Sequence, residues 1–139
     1  MEIKVEFKLD VNAGAGKLWG LLTDVEGWPN WVDTHFVKPS APGPIGKGSS
    51  FTVELAGMKW DMTVTEAERP NRLAWVGRRP GLTGVHEWEF KESDGKTLAI
   101  TREVMTGWLV NLAYPFVRKG LSDADEKWLA ALKKKAETS

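Results

Sequence analysis

Apolar residues in this chain change their repeat once, near Gly107, and that change limits the folds open to it. Before it they alternate. Ile3, Val5, Phe7, Leu9 and Val11 stand opposite Lys4, Glu6, Lys8 and Asp10, the two-residue repeat of a half-buried strand. Phe51, Val53 and Leu55, then Trp60, Met62 and Val64, repeat the pattern on either side of an Ala56-Gly57 turn. Arg69-Pro70-Asn71 leads into Leu73-Ala74-Trp75-Val76, and Pro80-Gly81 precedes a strand in which His86, Trp88 and Phe90 share a face. Ser93-Asp94-Gly95 is a hairpin turn. The strand after it sets Leu98, Ile100, Arg102 and Val104 on one face, taken as inward, and Ala99, Thr101 and Glu103 on the other. Beyond Gly107 the spacing is helical, through Leu109, Leu112, Phe116, Leu121, Trp128, Leu132 and Ala136. Pro115 and Gly120 interrupt it and Ser122 with Asp125 resembles a capping box, so one kinked helix or two abutting helices are expected.

The segment after the first strand predicts two short helices. Leu18, Trp19, Leu21, Leu22 and Val25 suit an amphipathic helix that Asn12 can cap. In DVEGWPNW, residues 24–31, Pro29 turns the chain, and Trp28 and Trp31 are expected to pin the short helices to the rest of the fold. Asp24, Glu26 and Asp33 argue against this stretch being a membrane wedge. Residues 38–50, rich in proline and glycine, read as a loop. Consecutive strands joined by short turns form an antiparallel meander, and its apolar face must be buried against the long C-terminal helix.

Composition narrows the function. The 139 residues carry 19 Lys plus Arg against 19 Asp plus Glu, and such a balance excludes a nucleic-acid binder that works by neutralising phosphates. With no cysteine, disulfides, thiolate metal sites and cysteine nucleophiles are excluded. No run approaches the ~20 apolar residues of a membrane span, and MEIKVEFK lacks the apolar core of a signal peptide, so a cytoplasmic protein is expected. Eight tryptophans are too many for an ordinary solid core to hide with every indole N–H satisfied, and a lined cavity is expected to take them.

The order of elements, with the stretches KLWGLLTDVEGWPNW, ERPNRLAW, GVHEWEF and TREVMTG, resembles the START-like, or Bet v 1-like (SRPBCC), superfamily. It is most similar to the polyketide cyclase/dehydrase and lipid-transport branch. The resemblance covers nearly the whole chain and implies an α+β helix-grip fold in one domain, 1–139. A curved antiparallel sheet of about seven strands would wrap the C-terminal helix, with two short helices after the first strand. It further implies a cavity between sheet and helix that takes a hydrophobic, aromatic or polycyclic small molecule, polyketide- or lipid-like. An enzyme of the cyclase/dehydrase type using the same cavity is the alternative, and a co-chaperone-like interaction module the second. No cofactor is implied, and monomer and dimer remain equally open.

Strand parity nominates the lining independently: Trp60, Met62, Trp75, His86, Trp88, Phe90 and Ile100 from the sheet, with Phe116 and Trp128 facing them. Gly120 would leave room for a ligand or mark a kink. His86, among aromatic neighbours, is expected to stay neutral and to contact a ligand or act as a general base. Arg102, if inward, would bind a carboxylate or polarise a carbonyl; His86 and Arg102 are thus the catalytic pair of the enzyme reading. Asp33 and His35 lack a third ligand, no phosphate loop or HExxH motif occurs, and no metal site is expected.

Overall fold

The computed structural model describes residues 1–139. Strand β1 (Ile3–Val11) is followed by helix α1 (Ala15–Thr23) and a 3-10 helix (Val25–Asn30). Six strands come next: β2 (Val37–Pro39), β3 (Ser50–Leu55), β4 (Met58–Glu68), β5 (Arg72–Arg79), β6 (Leu82–Ser93) and β7 (Lys96–Thr106). Helices α2 (Trp108–Leu112) and α3 (Tyr114–Thr138) end the chain. The strands form one antiparallel sheet in the order β1-β7-β6-β5-β4-β3-β2. It curves around α3 in a helix-grip arrangement. Only the β7–β1 pairing is not a neighbour in the chain, and it brings the first strand home beside the last.

The turns explain the register. Asp94 and Gly95, both at positive φ (53° and 77°), make a two-residue hairpin that pairs Ser93 with Lys96 and fixes every pair below it. Along β6 and β7 this sets Phe90 opposite Ala99, Trp88 opposite Thr101 and His86 opposite Glu103.

Two expected caps are absent. Gly14, not Asn12, precedes the first turn of α1, and the carboxylate of Glu92 accepts from the Ala15 N–H at 2.6 Å. Asn12 instead donates its backbone N–H to Glu137 at 2.8 Å, tying the start of α1 to the end of α3. Nor do Ser122 and Asp125 cap anything. Of the two alternatives expected, one kinked helix or two abutting ones, the second is found: α2 is short, Pro115 lies in the first turn of α3, and α3, 25 residues long, continues unbroken through Gly120. Its buried stripe is Leu121, Asp125, Trp128, Leu129, Leu132 and Ala136. This places a carboxylate on the apolar side of an otherwise ordinary amphipathic helix.

Trp28 is wholly buried and donates its indole N–H to the Leu22 carbonyl at 3.2 Å, locking the 3-10 helix onto α1. Trp31 is half-buried against the same core. Gly120 is exposed, and a methyl group added there would meet nothing within 4 Å. Gly120→Ala should therefore stabilise the protein by about 0.5–1 kcal/mol, the usual penalty of glycine inside a helix. The check is a higher urea midpoint with an unchanged m-value.

Candidate functional site

One line of paired residues crosses the inner face of the sheet: Val5, Glu103, His86, Trp75 and Val64, from β1 to β4. Above it α3 contributes Asp125 and Trp128, and the 3-10 helix contributes Trp28. The rings of Trp28, Trp75, Trp88, Trp128, Phe51 and His86 make a continuous cluster with centroids 5.0–6.4 Å apart, mostly edge-on or tilted. These are favourable geometries for aromatic pairs. Where a cavity is expected, the rings meet one another. The indole N–H groups of Trp88 and Trp128 are buried there without an acceptor.

His86 is sealed in this cluster. Its Nε2 lies 2.6 Å from the Thr101 hydroxyl, and its Nδ1 lies 3.3 Å from Glu103 Oε1. Asp125 completes the group: the donor atoms of His86, Glu103 and Asp125 all lie within 4.8 Å of one another, and all three residues are buried. Burial, reinforced by the neighbouring Asp125, pushes the Glu103 carboxyl well above the usual carboxylate range. Burial also lowers the His86 pKa, against the pull of the Asp125 and Glu87 carboxylates. Both shifts run against an ion pair between His86 and Glu103. Asp125 Oδ2 is buried with no hydrogen-bond partner.

Gly84 makes this arrangement possible. A Cβ on Gly84 would collide with Glu103 Oε2 and sit 3.1 Å from Met105 Cε. The bare backbone is what lets the carboxyl turn toward His86.

Of the sheet residues nominated from the sequence, Trp60, Met62, Trp75, His86, Trp88 and Phe90 are buried on the inner face. Four nominated positions lie elsewhere. Arg102 pairs with Glu87 in the ladder and faces outward, its guanidinium bound to Glu6 and to Glu89 at 3.1 Å. These carboxylates give it the partners that a core arginine would have lacked, and its pKa is raised accordingly. Ile100 is buried, but on that same outer face, opposite Lys8 and Glu89. The stems of such long side chains can cover it. Phe116 is 83% exposed, because the first turns of α3 reach past the edge of the core. Gly120 points to solvent. The inner face of β7 is instead Thr97, Ala99, Thr101, Glu103 and Met105.

Thr101, Glu103 and Asp125 are the polar members of the site that the sequence did not nominate. A signal existed for the first two. Seven residues back from Ser93 is His86 and seven forward from Lys96 is Glu103, so the two-residue turn alone puts them face to face. For Asp125 the signal was its place between Leu121 and Trp128 on the helical stripe. Asp33 and His35 remain exposed in their loop. A groove of about 490 Å³ is open at the surface beside Glu26, Pro29 and Val37–Pro42, and it shares no residue with the ring cluster.

Similarity to known proteins now fits this geometry. The sequence profile of the polyketide cyclase/dehydrase and lipid transport family matches residues 2–137, and the chain belongs to that family. Its fold is similar to that of a hypothetical protein from Helicobacter pylori, with a TM-score of 0.82 at 18% identity over 98% of this chain and 88% of that one. A START superfamily protein from Mycobacterium smegmatis gives 0.79 at 16% identity, over 96% of this chain and 97% of its own. An aromatase/cyclase from Streptomyces sp. R1128 gives 0.79 at 19%, over 99% and 94%. At such identities the likeness is one of fold. No curated protein matches the sequence. No helix is long and apolar enough to cross a membrane.

Gly84→Ala should cost about 1–3 kcal/mol, the usual penalty for overfilling a packed core. Chemical denaturation checks it, and a loss no larger than that of an exposed substitution would mean Glu103 can rotate away.

Proposed function

We propose that the protein binds a hydrophobic small molecule, aromatic or polycyclic, between the inner face of the sheet and α3. The observation that carries this reading is the pair of buried, unpartnered indole N–H groups of Trp88 and Trp128 inside a ring cluster that is apolar except around His86. An unmet donor in an apolar interior is costly, and an oxygen on a bound ligand would satisfy it. The rings supply flat apolar surface for a planar ligand body. Because they now touch, a ligand enters by parting α3 from the sheet at Trp128. Family membership supports the same reading, and one neighbour in fold is described as an aromatase/cyclase.

Titrating the protein with a panel of hydroxylated polycyclic aromatics should give saturable quenching of tryptophan fluorescence. Trp128→Phe keeps a ring but loses the N–H, and should weaken a hydroxylated ligand by about 2–10-fold, the worth of one hydrogen bond, while sparing its unsubstituted analogue. Arg102→Ala should leave affinity within about 2-fold, since its ion pairs lie on the outer face. Absence of saturable quenching across the panel would count against the reading.

A cyclase/dehydrase-type enzyme is the second reading, and the buried His86 favours it: a neutral imidazole in an apolar interior can accept an enol or phenol proton. Arg102 has no part in it. On that reading His86→Ala abolishes turnover of a poly-β-keto substrate while binding changes little; unchanged turnover would remove His86 from the chemistry.

A further inference from the structure

The His86, Glu103 and Asp125 cluster has no role in the ligand-binding reading. Two carboxyl groups are buried side by side, and none of the ion pairs made by lysine or arginine reaches either of them. Buried charges in proteins are paired or coordinate metals, because the loss of hydration is otherwise uncompensated. Three elements, β6, β7 and α3, converge to bring these donors together, so the cluster is no accident of one helix face.

We propose that His86, Glu103 and Asp125 form a binding site for one divalent metal ion of the zinc class. Four observations carry this beyond the mere presence of acids. First, His86 Nδ1 and Glu103 Oε1 stand 3.3 Å apart. That is longer than the ~2.7–2.9 Å of a charge-assisted hydrogen bond, and it matches the edge of a tetrahedron whose ligands lie about 2.0 Å from a central ion. Second, Asp125 Oδ2 is an acceptor with nothing to accept, in a residue only 3% exposed. A bound cation would satisfy such an oxygen. Third, ligation through Nδ1 requires the ring proton on Nε2. There the Thr101 hydroxyl accepts at 2.6 Å and itself donates a hydrogen bond to the Glu87 carbonyl at 3.4 Å, the outer support that metal-binding histidines usually have. Fourth, Gly84 leaves the space that Glu103 needs to turn inward. One imidazole and two carboxylates balance the charge of a divalent ion, and three protein ligands leave a fourth position for water or for an oxygen of a bound molecule. A metal here takes the Nδ1 lone pair, so His86 would then be a ligand and not a free general base.

Cobalt(II) added to the purified protein tests this. The expected result is a one-to-one complex with a visible d–d absorption band, bleached by an equivalent of zinc. Glu103→Gln and Asp125→Asn keep the size of each side chain and should each weaken binding by more than about 100-fold, beyond the ~10–100-fold cost of losing an outer partner. His35→Ala, at the exposed loop histidine, should change nothing. If the folded wild-type protein stays colourless in excess cobalt and retains no zinc after dialysis, the proposal is wrong and the two carboxyls merely share a proton. Loss of the band in His35→Ala would overturn it too. Should a core variant fail to fold, the wild-type spectrum still decides. Ligand quenching measured on chelator-treated protein keeps the two questions apart: the metal site can fail while quenching persists, or stand while quenching is absent.

Discussion

Helix α3 can bury its apolar stripe only by lying on the inner face of the sheet, and in doing so it drags Asp125 out of water. Leu121 and Trp128 flank that residue along the stripe, so no rotation of the helix hides them and spares it. The penalty for stripping a carboxylate of its hydration is several kcal/mol unless something nearby offsets it. The sheet meets this demand along a single line of pairing, where Glu103 and His86 occupy positions that elsewhere on the face hold valine and tryptophan. Helix and sheet are thus matched in polarity at one place and in apolar surface everywhere else.

The tryptophans make that match a closed one. Trp75, Trp88 and Trp128 each contact the imidazole of His86, from the neighbouring strand, from the same strand and from the helix. They pack the imidazole from three directions, while Trp28 braces Trp75 and Trp128 from the short 3-10 helix. The fold holds these rings in place without reference to any particular chemistry.

Six of the seven strands, their antiparallel order and the closing helix were legible in the sequence because the apolar repeat and the turn residues agree with each other there; β2 (Val37–Pro39) was not, since it is three residues long and overlaps the proline- and glycine-rich stretch 38–50 that read as a loop. The inward face of β7 was not. Leu98, Ile100 and Val104 are the more hydrophobic set, and hydrophobicity was the criterion; yet they lie on the outer face, Ile100 fully buried among long charged side chains. The inner face uses Ala99 and Thr101 because large rings from β6 need room opposite them, at Phe90 and Trp88. Parity judged strand by strand misses this, whereas the register carried from the Asp94-Gly95 turn does not. The site was half legible for the same reason: His86 lies on a strand whose alternation is clean, and Glu103 on one whose alternation misleads. Phe116 and Gly120 misled differently, since an amphipathic pattern cannot tell which turns of a long helix extend beyond the surface it covers.

The order β1-β7-β6-β5-β4-β3-β2 also decides how this sheet meets other molecules, for it leaves two borders with unpaired backbone groups. One border is β1, whose outward positions Lys4, Glu6, Lys8 and Asp10 alternate in charge. A second copy docking strand to strand would bring such ionic side chains into close quarters. The other is β2, three residues long and ending in Pro39, which has no N–H to offer. Charge protects the long border and brevity the short one, so a seven-stranded sheet with two open edges resists growing into a larger one.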